Sequence, residues 1–170
     1  MPRKSVKENK NVYQIARERL DWSRMYASEQ MEFISDKKIE AIENGVLAQP
    51  SDIYEMAKCY KEPELCNYYC SHDCVIGKKY VPAIEIGSLS DIVIETVVSL
   101  NEIMPLTNRL LQIARDGRIS EDEIPDFAKI LNNLEKVALA ASVMKFSVEK
   151  MAAENAIDYE QLVAEREKLK

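Results

Sequence analysis

Apolar residues recur every three or four positions along most of the chain, the spacing of one face of an α-helix. From about Asn11 to Leu20, the positions of Val12, Ile15, Ala16 and Leu20 predict a first helix with these side chains inward. Ser23, or Asp21 before it, can cap a second helix over about residues 24–31. Ser35 can cap a third, about 36–44, with Ile39 and Ile42 inward and Gly45 as its left-handed stop. Pro50, Ser51 and Asp52 open a fourth, with Ile53, Met56, Ala57 and Tyr60 inward, and Pro63 with Glu64 opens a short fifth. Residues 75–87 break the pattern. They are β-branched and interrupted by Gly77 and Pro82, which predicts an extended connector or a short strand.

Two longer patterns follow. Between Ser88 and Asp116, one stripe takes Leu89, Ile92, Thr96, Ser99, Ile103, Leu106, Leu110 and Ile113, and Pro105 should kink or divide the helix. The next runs to about Glu154. Its start is set either by the Ser120 and Glu123 pair, which has capping-box spacing, or by Pro125. Ile124, Phe127, Leu131, Leu134, Ala138, Ala141, Val148 and Met151 are its expected inward residues. A last helix covers about 159–168. Two long amphipathic segments joined at Asp116-Gly117-Arg118 predict an antiparallel hairpin, either a core that closes on itself or an oligomerisation arm with a second apolar edge to cover. The fold class expected is therefore all-α: a five-helix domain over residues 1–74, a connector over 75–87, and a helical hairpin over 88–170.

Composition supports helices. Among 170 residues there are only 4 glycines and 6 prolines, too few for the many tight turns of a β-sandwich or barrel. The net charge of −6 argues against indiscriminate binding of polyanions. The charge is uneven, however. Residues 1–30 hold 7 basic groups against 4 acidic ones, so a polyanion should meet the N-terminal end. The basic start MPRKSVKENKN has no apolar core after it, and no apolar stretch is long enough for a membrane span, so a cytoplasmic location without membrane partners is expected.

The richest segment runs from Ser23 to Tyr60. In order it has Ser23-Arg24, the small residues Ala27 and Ser28, then Met31, Ser35, Ile39, Ile42-Glu43-Asn44-Gly45, and Pro50-Ser51 opening a helix with Ala57. This resembles the helix-turn-helix of the Cro/CI-type repressors, the XRE family. The resemblance covers about residues 11–70, and Ile42-Glu43-Asn44-Gly45 with the downstream proline is its most specific part. It implies a dimeric, sequence-specific reader of duplex DNA that regulates transcription and is not an enzyme. Ser23 and Arg24 would hold a phosphate at the start of the second helix, and Ser35, Lys37 and Lys38 would approach the major groove on the third. Asp36, Glu40 and Asn44 complete the candidate DNA-binding set. Arg24 stands where the family usually has Gln, and the turn Met31–Ser35 lacks the usual glycine and is one residue longer. Because the charges of the third helix nearly cancel, a second reading stays open: a helical adaptor whose helix-turn-helix binds protein and no DNA.

Cys66, Cys70 and Cys74 recur at every fourth position, with His72 among them and Cys59 on the preceding helix. On a helix the three thiols would share a face, which would suit zinc or a redox-sensing thiol set in a third, metal- or thiol-responsive reading. The alternative is that they are buried structural thiols, since the spacing matches no standard zinc motif. Catalytic readings find less. No glycine-rich phosphate loop is present, and one histidine offers little general acid–base chemistry.

Overall fold

A computed structural model describes residues 9–169. All regular structure among the described residues is helical, and none of them forms a strand. They fall into two compact units. One is the chain up to Ala83 together with the stretch from Val148 onward; the other is Ile84–Ser147.

The first unit begins with α1 (Val12–Arg19), α2 (Arg24–Glu29), α3 (Asp36–Glu43), α4 (Pro50–Tyr60) and α5 (Glu64–Tyr68). Local chemistry sets the starts of the first four. The side chains of Asn11, Ser23 and Ser35 accept from the backbone N–H groups of Gln14, Tyr26 and Lys38, so each satisfies a donor the helix itself cannot. Asp52 accepts from the Gln49 N–H at the start of α4, and Pro50 supplies the preset first turn. Gly45 ends α3 at φ +92°, as its place in the sequence requires.

These helices close around one core. Ala27, Ile39 and Met56 are fully buried, and Ile42, Ile53, Ala57 and Tyr60 join them as their spacing predicts. Ala27 is the small residue where α2 meets α3. The Ser28 hydroxyl then donates to the Ile34 carbonyl and secures the turn between these helices. On α1 the expectation fails in part. Ala16 is buried, but Ile15 and Leu20 are exposed, and Tyr13, Gln14 and Arg17 face inward instead.

The connector expected over 75–87 is corrected in its first part only, since residues 81–87 form neither helix nor strand. After α5 the helix widens into a π-helical turn, Tyr69–Asp73, and Gly77–Tyr80 then form the short α6. A Cβ on Gly77 would lie 2.0 Å from the Cys70 carbonyl oxygen, so only glycine permits this close return of the chain. Asn67 donates to the Pro82 carbonyl and fastens the exit. From the far end of the chain, Lys150 bonds to Glu62 and Glu64, which places the residues after 147 with this unit and not with the 88–170 block expected.

In the second unit, α7 (Leu89–Ile103) starts at Ser88, whose hydroxyl accepts from the Asp91 N–H. Pro105 sits in a 3₁₀ turn, Met104–Leu106, that divides α7 from α8 (Thr107–Ile113) as its ring demands. A second 3₁₀ turn, Ala114–Asp116, and left-handed Gly117 (φ +72°) reverse the chain. The Glu123 carboxylate accepts from both the N–H and the hydroxyl of Ser120 just before α9 (Ile124–Ala153). Arg109 pairs with Asp126 at 2.7 Å and Lys136 with Glu102 at 2.7 Å. The pairs step in opposite directions along the two segments, so the segments run antiparallel. The α7–α8 stripe holds except at its start: Ile92 and Ile113 are buried and the residues between them on the stripe are half-buried, but Leu89 is exposed. The α9 stripe does not: Ile124, Leu131, Leu134, Ala138 and Ala141 are exposed, and Ile130, Asn133, Val143 and Ser147 are buried in their place. The final helix, α10 (Tyr159–Glu167), is capped by Asp158 and belongs to the first unit. No helix among the described residues is long and apolar enough to cross a membrane.

Candidate nucleic-acid interface

The helix α3 carries most of the residues singled out for DNA contact, and its two sides differ sharply. Ile39, Ile42 and Glu43 are buried against the core, while Ser35, Asp36, Lys37, Glu40 and Asn44 are exposed. Asp36, Glu40 and Asn44 step by four along one solvent-facing side with Lys37 beside them, and Ser35 caps the helix start. Ser35 and Ser23 cap α3 and α2, which leaves the free backbone donors of both helix starts near the surface.

Three basic candidates have different surroundings. Arg24 donates to Glu43 through Nε at 2.8 Å and to Glu40 through a terminal nitrogen at 2.8 Å. Lys38 reaches Asp52 on α4 at 2.7 Å, and Asp52 is buried. Lys37 is exposed on the outer row. The structure therefore brings Ser23, Arg24, Ser35, Lys38, Glu40 and Asn44 to the α2–α3 region, but it commits Arg24 and Lys38 to carboxylates of the same domain. A phosphate approaching either one competes with that carboxylate.

The feature that sequence reasoning missed lies beneath this surface. The Glu43 side chain has no exposure and accepts three charge-assisted hydrogen bonds. Arg17 supplies two, from Nε at 2.6 Å and from a terminal nitrogen at 3.0 Å, and Arg24 supplies the third. Arg17 also donates to the Trp22 carbonyl at 2.5 Å. Although burial alone would lower the affinity of Arg17 for its proton, the hydrogen bond and charge of Glu43 more than reverse this. Glu43 thus ties α1, the start of α2 and α3 together. Its place in Ile42-Glu43-Asn44-Gly45 was visible, but its partner Arg17 lies 26 residues earlier, beyond any local pattern.

The cysteines are half-buried and carry no disulfide. Cys66 and Cys70 line the core with Cys74 and Cys59 as partly buried thiols. The Cys59 thiol lies 3.8 Å from the Gln30 carbonyl, and Cys74 Sγ accepts from the Gly77 N–H. Burial raises the pKa of Cys59 and Cys66, with nearby acidic groups adding to the effect, which disfavours the thiolate that metal binding or redox attack needs. His72 is exposed, stacked on Tyr68 at 4.2 Å, with Nδ1 near the Ser71 hydroxyl and the Tyr68 carbonyl. Among the described residues, no three His, Cys, Asp or Glu side chains converge as a metal-binding group. The neighbouring Tyr13 hydroxyl donates to Asp73 at 2.7 Å, tying α1 to the π-helical turn.

Compared with protein families, with curated proteins and with solved structures, the chain matches none.

Proposed function

We propose that this protein is a transcriptional regulator that binds duplex DNA as a dimer through a Cro/CI-like five-helix domain, with α3 as the reading helix. The observation that carries the reading is the two-sided build of α3. One side is anchored by Ile39, Ile42 and Glu43, and the other presents Asp36, Lys37, Glu40 and Asn44 to solvent, with Ser35 exposed at the helix start. A rigidly held helix with an outward polar row is what major-groove readout needs, because side chains must arrive at base edges in a fixed register. Ser23 and Ser35 place two helix starts, with their unsatisfied N–H groups, where phosphates can be held. Lys37 and Asn44 are the side chains we assign to base edges, and Arg24 and Lys38 turn to phosphates only by exchanging their carboxylate partners.

That exchange is the specific observation that favours a second reading, in which the domain is an adaptor and the same outer row docks a protein. Fluorescence anisotropy with randomised duplex DNA, selected for tight binders at two salt concentrations, separates the two. A DNA reader enriches a palindromic site and loses affinity steeply as salt rises, because each neutralised phosphate releases counterions. An adaptor shows no enrichment and no salt slope.

A further inference from the structure

The helices of the second unit each carry two apolar stripes, and only one of them is covered. On α7–α8 the covered stripe holds Ile92 and Ile113. One residue further on, Val93, Val97, Leu100 and Met104 repeat with spacing 4-3-4 and are 43–66% exposed. On α9 the covered stripe holds Ile130 and Val143, and one residue beyond Ile130 and Asn133 lie Leu131 and Leu134, both exposed, followed by the small Ala138 and Ala141. Both stripes keep the alternating three- and four-residue steps of a bundle seam. Neither includes an ionisable residue, and Asp91, Glu95 and Glu102 of α7 fall on the opposite side of their helix.

The direction of the offset matters. Advancing one residue rotates an α-helix by about 100°. In antiparallel partners the same forward step turns both stripes toward the same side of the pair. The exposed stripes therefore merge into one broad apolar face on a two-helix layer.

We infer that this face docks the same face of a second copy of the chain, forming a four-helix bundle from two helix pairs. It deepens the dimeric reading proposed above, because it rests on the chain pairing with itself and names the surface that does so. Two observations favour a second copy. Among the described residues of Ile84–Ser147, the buried apolar side chains are Ile92, Ile113, Ile130 and Val143, a core too thin for a two-helix layer without a partner. The area also fits. A fully buried aliphatic side chain removes about 60–120 Å² from water. Seven such chains at about half exposure, counting the flanking Ile94, offer roughly 210–420 Å² per copy, to which the small Ala138 and Ala141 add. A standard-size interface buries about 800 Å² per partner, and at the roughly 65% apolar share of homodimers that is about 500 Å². Ala138 and Ala141 let the facing helices approach closely at the centre.

Sedimentation equilibrium of the full chain tests this. The wild type is expected to be a dimer at micromolar concentration, with a Tm that rises with protein concentration. Val97→Glu with Leu134→Glu is expected to give a monomer that keeps its helical circular dichroism, since both side chains are exposed within one copy. The milder Val97→Ser with Leu134→Ser, should the glutamates unfold the chain, is expected to weaken dimerisation at least tenfold. A monomeric wild type, or a dimer that survives both variants with unchanged affinity, overturns the inference. Lys37→Ala serves as the separating control. A Lys37→Ala dimer whose duplex binding is weakened supports both readings. A wild-type dimer without duplex binding sinks the DNA reading alone, and a monomer that binds duplex DNA sinks this one alone.

Discussion

Replacing Glu43 by Gln removes the charge at the centre of the first unit without changing its shape. The side chain is fully buried and holds both Arg17 and Arg24. Arg17 is itself 7% exposed, and after the substitution its nearest remaining carboxylate is Glu18 at 3.9 Å. A buried guanidinium left without its counter-charge costs about 3–5 kcal/mol. That is a large part of the roughly 5–15 kcal/mol by which a domain of this kind is stable. Glu40→Gln removes only the outer contact to Arg24, between side chains that are 32% and 54% exposed, and should cost less than about 1 kcal/mol. Urea unfolding followed by the fluorescence of the single tryptophan measures both, since the Trp22 carbonyl is itself a partner of Arg17. Two variants costing the same, or Glu43→Gln costing under about 1 kcal/mol, would refute the reasoning. The double change Arg17→Met with Glu43→Leu should recover most of the loss, because it strands no buried charge and Arg24, 32% exposed, keeps Glu40.

Three further outcomes follow from the packing. Gly77→Ala drives a Cβ into the Cys70 carbonyl and should lower stability by about 1–3 kcal/mol in thermal unfolding; an unchanged Tm would show that α6 does not sit where the structure puts it. The Tyr60 hydroxyl is buried and has no hydrogen-bond partner among the described residues, so Tyr60→Phe should be neutral or stabilising by up to about 1 kcal/mol, and a loss of that size would reveal a hidden partner. Glu64 is held above the ordinary carboxylate range by burial and by Glu62, while Lys150 pulls the other way. Its folded carboxyl thus keeps a proton that the unfolded chain gives up, and ionisation makes folding less favourable as pH rises through the unfolded value of about 4.3. Glu64→Gln should therefore gain stability relative to wild type between about pH 4 and pH 7 in a pH series of urea unfolding, and the opposite trend would contradict the assignment.

What the sequence revealed and what it hid follow from the range of each interaction. Helix caps act within three residues, so Ser23 and Ser35 could be read directly. Ile39, Ile42, Ile53, Met56 and Ala57 were equally plain because each helix buries one face and the spacing names it. Arg17 and Gln14 were invisible as inward residues. A buried polar side chain is tolerated only when a partner meets it, and Glu43 is remote in sequence. The same non-locality changed the meaning of Arg24 and Lys38, whose partners Glu43 and Asp52 lie on other helices. On α9 the sequence offers two neighbouring stripes of similar hydrophobicity, and periodicity alone does not choose between Ile130 and Leu131. The short α6 depends on a backbone approach at Gly77 that looks, in sequence, like a break.

The exposed polar row of α3 as the surface that meets duplex DNA is the claim on which the functional account stands. Anisotropy titration of a selected duplex with wild type, Lys37→Ala and Asn44→Ala over a salt series tests it most directly. The account predicts tight, steeply salt-dependent wild-type binding, and a loss of discrimination at one base position worth about 1–3 kcal/mol for each of Lys37→Ala and Asn44→Ala. Absence of duplex binding by the folded wild type at low salt, or binding that neither substitution changes, would contradict it.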